Sequence, residues 1–185
     1  MKKIATVSRR LRFVLWAFLI ASPCATGAFW IFGVGGLDAT GPIPAEISYN
    51  LAGNFIPRLS MTTINATSLS LGFLAAMIPT CALMFIVYIL TKIFRNYERG
   101  LIFSEHNTML YRRIGFGLFA KTIADIVSLP LICLALTFQN PVKPEGVIQV
   151  GTTHLGLIFV GVGVILISWV MDEASKIAEE QAYTI

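Results

Sequence analysis

Charge is scarce in this sequence. Asp, Glu, Lys and Arg make up 13% of its 185 residues, about half the share found in a soluble globular domain. Cysteine is thin as well: Cys24, Cys81 and Cys133 stand singly, and no two form a CxxC pair. That argues against the four-helix membrane oxidoreductases, which pass electrons through paired thiols near the outer face. A buried free cysteine behaves as a small hydrophobe, and all three are expected to do so. His106 lacks the companion ligands that a metal site requires. No two candidate catalytic groups converge, so neither an enzyme, a metal nor a cofactor is expected. A DNA-binding motif is missing too, which argues against direct nucleic-acid binding. The strict polar–apolar alternation of a membrane β-barrel is also absent.

What the chain does hold is long apolar runs. Four of them, about 13–34, 71–94, 114–138 and 151–171, fill most of it. A hydrocarbon core about 30 Å thick takes about 20 helical residues at 1.5 Å each, and every run reaches that length. Lipid offers no partner to backbone N–H and C=O groups, so spans must be helices or closed barrels. The expected fold is therefore an all-α integral membrane protein, one four-transmembrane-helix bundle. Outer loops at 35–70 and 139–150, an inner loop at 95–113 and a tail at 172–185 complete it. The basic start and first apolar run also fit a signal peptide. However, Phe13–Phe32 is too long for a signal core, and Ala21-Ser22-Pro23-Cys24 puts proline directly before the cysteine of a lipoprotein-like box. An uncleaved anchor is expected.

Basic residues are placed unevenly. Lys2, Lys3, Arg9, Arg10 and Arg12 precede the first run, and Lys92, Arg95, Arg99, Arg112 and Arg113 surround the loop at 95–113. The other two loops hold only Arg58 and Lys143. The positive-inside rule then puts both termini in the cytoplasm.

Between lipid-solvated helices, small residues set the contacts. Ala17, Ala21 and Ala25 line one face of the first run, Gly72 and Ala76 form a small pair in the second, and Gly156, Gly161 and Gly163 thin the fourth. Such faces also permit homo-oligomers. Pro23, Pro79 and Pro130 fall inside three of the runs. Lys121, Asp125 and Ser128 share one face of the third. Asp125 lies about 18 Å in from Arg113, close to mid-membrane, where a charge costs roughly 3 kcal/mol. An intrahelical Lys121–Asp125 pair that fixes helix rotation is one outcome. A proton or cation relay, making the chain a small transporter or ion-coupled permease, is the alternative.

The loop at 95–113 is unusually well organised. Gly100 suits a left-handed position after a helix end. Ser104 suits the N-cap of the next helix, with Glu105 in its first turn. The run Phe94-Arg95-x-Tyr97-x-x-Gly100-x-Ile102-Phe103-Ser104-x-x-Asn107, followed by Arg112-Arg113-Ile114-Gly115, resembles the hallmark of domain-of-unknown-function family 2975. The acidic tail Asp172-Glu173-Ala174-Ser175-Lys176-Ile177-Ala178-Glu179-Glu180-Gln181 and the final Thr184-Ile185 are similar to that family's closing segment. The family often has an aspartate or asparagine just ahead of the last pair, where this chain has Ala182-Tyr183.

The resemblance implies a multi-pass protein of the bacterial cytoplasmic (inner) membrane with undetermined biochemistry. Family members are frequently encoded beside a small helix-turn-helix transcription regulator, which implies a cytoplasmic partner of that kind. The expected role is that of a non-enzymatic regulatory or scaffold protein. Its partner-binding residues are expected to be Tyr97, Gly100, Ile102, Phe103, Asn107, Arg112, Arg113, Glu179 and Glu180. The acidic tail either faces a basic partner surface or pairs with Arg95, Arg99, Arg112 and Arg113.

Overall fold

The structure, a computed structural model, describes residues 2–34, 65–102, 104–138, 148 and 150–183. Among the described residues, four helices follow one another. They are α1 (Lys2–Ala28), continued by a π-helical segment Phe29–Val34, then α2 (Ala66–Glu98), α3 (Glu105–Thr137) and α4 (Thr152–Tyr183). No strand occurs among the described residues. All four helices are long and apolar enough to cross a membrane.

The helices outrun the spans expected from hydropathy. With 33 residues each, α2 and α3 are about 50 Å long against a hydrocarbon core of about 30 Å. Both therefore carry polar turns beyond their apolar stretches, and only residues 99–104 connect them. The tail is helical through Tyr183. The stretch from Pro44 to Leu51, which would suit a short helix with proline in its first turn, lies outside the described residues.

The chain forms two compact units. The first takes residues 1–20, 82–122 and 151–185. Its core is made by Ile86, Ile89 and Ile93 of α2 against Leu110 and Ile114 of α3, spacings that put each set on one helical face. Gly115 and Gly161 bring α3 and α4 together. A Cβ on Gly115 would lie 3.1 Å from the Gly161 carbonyl oxygen, and one on Gly161 would lie 3.3 Å from that of Gly115. Of the three glycines expected to thin α4, only Gly161 serves this contact, since nothing lies within 4 Å of a Cβ on Gly156 or Gly163.

The second unit takes residues 21–81 and 123–150. Trp30, Ala75, Ile132, Cys133 and Leu136 form its core. Gly72 is where the Trp30 indole rests, and a Cβ there would collide with the ring. The Thr26 and Thr80 hydroxyls meet at 3.3 Å between α1 and α2. The expected alanine seam on α1 is not used: Ala21 and Ala25 are exposed in this unit, and Ala17 is exposed in the first. A face with an indole and a hydroxyl to bury outcompetes one that offers only methyl groups, because dispersion contacts scale with the atoms brought together.

Several hydroxyls within the spans are satisfied locally. Thr80, Thr122 and Thr137 donate to the carbonyls of Ala76, Leu118 and Cys133 at 3.0, 3.0 and 2.7 Å. Lipid could not supply those partners. His154 closes the start of α4, its Nδ1 accepting from the Gly151 N–H at 3.0 Å.

Candidate functional site

The site lies where α2 passes into α3, within the first unit. Three rules of local chain geometry build it. Gly100 has φ +77°, and the N–H groups of Leu101 and Gly100 donate to the carbonyls of Asn96 and Tyr97, both at 3.1 Å. That is a Schellman motif, ending α2 with glycine in its left-handed position. Ser104 then caps α3, its Oγ accepting from the Asn107 N–H at 3.3 Å, as an N-cap serine should.

Asn107 ties the two ends together and is fully buried. Its Nδ2 donates to the carbonyls of Leu101 at 2.6 Å and Ile102 at 3.0 Å. Its Oδ1 accepts from Asn96 Nδ2 at 2.7 Å. One amide thus pins the turn to α2 with both of its N–H donors and its carbonyl oxygen engaged. Beside it the Tyr97 and Tyr111 hydroxyls are hydrogen-bonded to each other.

Arg12 of α1 reaches this region and pairs with Glu98 at 3.2 Å. The second carboxylate oxygen of Glu98 is buried and has no hydrogen-bond partner among the described residues. A cavity of about 280 Å³ adjoins it, lined by Ile4, Ala5, Tyr97, Glu98, Arg99, Gly100 and Ile102.

Of the residues expected to bind a partner, Tyr97, Gly100, Ile102 and Asn107 converge on this turn, with Arg112 and Arg113 exposed further along α3. Phe103 lies outside the described residues. Glu179 and Glu180 belong to α4, but their side chains are outside the described set. In the acidic tail, Lys176 of α4 itself takes Asp172 at 3.3 Å and Glu173 at 3.6 Å. Lys121 and Asp125 are half-buried on α3 and neither lacks a partner. Sequence reasoning missed Asn96, Tyr111 and the Arg12–Glu98 pair. Each depends on which residues of two helices come level, and no local pattern signals that.

Four membrane-length helices, two of them joined by a tightly capped turn, define a multi-pass membrane protein. The chain belongs to the family described as Protein of unknown function (DUF2975), whose model matches residues 37–185. No curated protein and no solved structure matches it.

Proposed function

We propose that this protein is a non-enzymatic scaffold of the bacterial cytoplasmic membrane that holds a soluble partner at the α2–α3 turn and the end of α4. Both termini and the turn face the cytoplasm in this reading, as the basic residues favour. The observation that carries it is Asn107, a buried amide spent entirely on fixing the shape of a turn beyond the apolar stretches. A fixed turn presents a preorganised surface, which lowers the ordering cost of association. Leu101 is 53% exposed on it, and the cavity beside Glu98 leaves a buried oxygen for a donor from the partner. A small helix-turn-helix regulator is the partner that the family resemblance implies.

The test is a mild-detergent pull-down of the tagged protein from its native membranes, with mass spectrometry of what accompanies it. Recovery of such a regulator, lost when residues after Met171 are deleted and weakened by Asn107→Ala, supports the scaffold. Recovery of the protein alone counts against it and shifts weight to an ion-coupled permease acting through Lys121 and Asp125.

A further inference from the structure

Basic side chains at the α2–α3 end outnumber the carboxylates that reach them. Among the described residues, Arg12 is spent on Glu98, and Lys176 on Asp172 and Glu173. Arg95, Arg112 and Arg113 are exposed and enter no ion pair there. On α2, Tyr88, Lys92 and Arg95 are spaced i, i+4 and i+7 and share one face. Tyr88 is 43% exposed, and the Lys92 ammonium lies 4.4 Å from its ring centroid. That geometry holds the cation against the ring. The face of α2 turned to α1 is a different one, carrying Phe94 and Tyr97. On α3, Arg112 and Arg113 adjoin Phe116, which is 60% exposed. The contact of α4 is with Gly115, Leu118 and Phe119 instead. Neither neighbouring helix covers these cations.

Their level along the helices decides which anion meets them. Exposed Tyr and Trp side chains settle at the headgroup layer of a bilayer. Tyr88 is joined in this unit by Trp16 and Trp169, both exposed. Lys92 lies one turn past Tyr88 and Arg95 two, while Arg112 and Arg113 lie one turn before Phe116. A turn is about 5.4 Å, which sets the cations among lipid phosphates rather than in bulk water.

We propose that the outward face formed by Tyr88, Lys92 and Arg95 on α2 and Arg112, Arg113 and Phe116 on α3 binds anionic phospholipid. The phosphates sit on the cations, arginine offering a bidentate fork. The glycerol and first methylenes lie against the two rings. Arg112 and Arg113 then serve lipid rather than a soluble partner, and this holds whether or not the scaffold reading does.

The experiment is native mass spectrometry of the protein released from nanodiscs holding equal phosphatidylglycerol and phosphatidylcholine. Retained lipid is expected to be enriched in phosphatidylglycerol by about tenfold, the scale of one or two surface cations acting on an anionic headgroup. The combined variant Lys92→Gln, Arg95→Gln, Arg112→Gln, Arg113→Gln falls to near parity, while Lys176→Gln keeps the enrichment. Should the combined variant misfold, a salt titration of the unmodified protein decides, because enrichment at exposed cations must decline as screening rises. Equal retention of the two lipids by the unmodified protein overturns the proposal. So does displacement of phosphatidylglycerol by inorganic phosphate, which would mark a site for the anion alone. Preference for a polyglutamate peptide over the lipid would assign the surface to an acidic protein and likewise overturn it.

Discussion

Replacing Asn107 by alanine tests whether one amide holds the α2–α3 turn. The change removes three side-chain hydrogen bonds, to Leu101, Ile102 and Asn96, at 2.6, 3.0 and 2.7 Å. Each is worth about 1 kcal/mol net. Water can return part of that to the Leu101 carbonyl, whose residue is exposed, so the turn should open more easily by about 2–3 kcal/mol. The amides to watch are those of Gly100, Leu101 and Ile102, whose bonds to Tyr97, Asn96 and Gly100 define the turn. Their hydrogen exchange should speed up by about 30- to 150-fold for local opening of that size. Asn107→Asp should be worse than alanine, because it turns an oxygen toward two carbonyl oxygens that now receive an N–H. The predicted order of protection is therefore Asn above Ala above Asp. Exchange in the alanine variant within about threefold of the unmodified protein, or an aspartate variant better protected than the alanine one, would refute the reasoning.

Other perturbations address separate contacts. Gly100→Ala should lower stability by about 1 kcal/mol in thermal unfolding, since φ +77° penalises a Cβ; Gly100→Asn should be milder, and equal stability of all three would deny the left-handed turn. Gly72→Ala should cost about 1–3 kcal/mol by forcing the Trp30 ring aside, and Trp30→Phe should relieve part of that in the double variant; strict additivity would show that the two do not touch. The scaffold reading expects no pH-dependent flux from the unmodified protein in proteoliposomes, so a flux abolished by Asp125→Asn would replace it with the permease.

The four spans were legible because the requirement is a length of apolar chain, which a sequence states directly. Gly100 and Ser104 were legible because helix ends obey local rules, and both stand where those rules put them. The tertiary contacts were not legible. Trp30 on Gly72, Asn107 on Asn96 and Arg12 on Glu98 each require two helices to be level. Small-residue spacing marks a face but does not name its partner. Ala17, Ala21 and Ala25 show the consequence, being regularly spaced yet exposed. The π-helical segment Phe29–Val34 was missed for a related reason, since nothing in Phe-Trp-Ile-Phe-Gly-Val distinguishes it from ordinary helix until Trp30 is seen buried in the core.

The family hallmark takes on a physical sense here. Gly100 sets the left-handed exit, Ser104 caps, Asn107 pins and Tyr97 bonds Tyr111, so these residues spend their chemistry on the shape of the turn itself. Joining α2 to α3 does not demand so many devices, because Ile86, Ile89 and Ile93 already pack on Leu110 and Ile114 below it. Fixing the backbone of each turn residue costs about 1–2 kcal/mol of conformational entropy. An ordered turn at a water-facing end recovers that cost only through contacts it makes or through a surface it presents. The internal contacts account for the order, and what they hold outward is Arg99 and Leu101 beside the Glu98 cavity. In the scaffold reading, substitutions at Arg99 and Leu101 should alter partner binding while leaving the exchange of the turn amides unchanged.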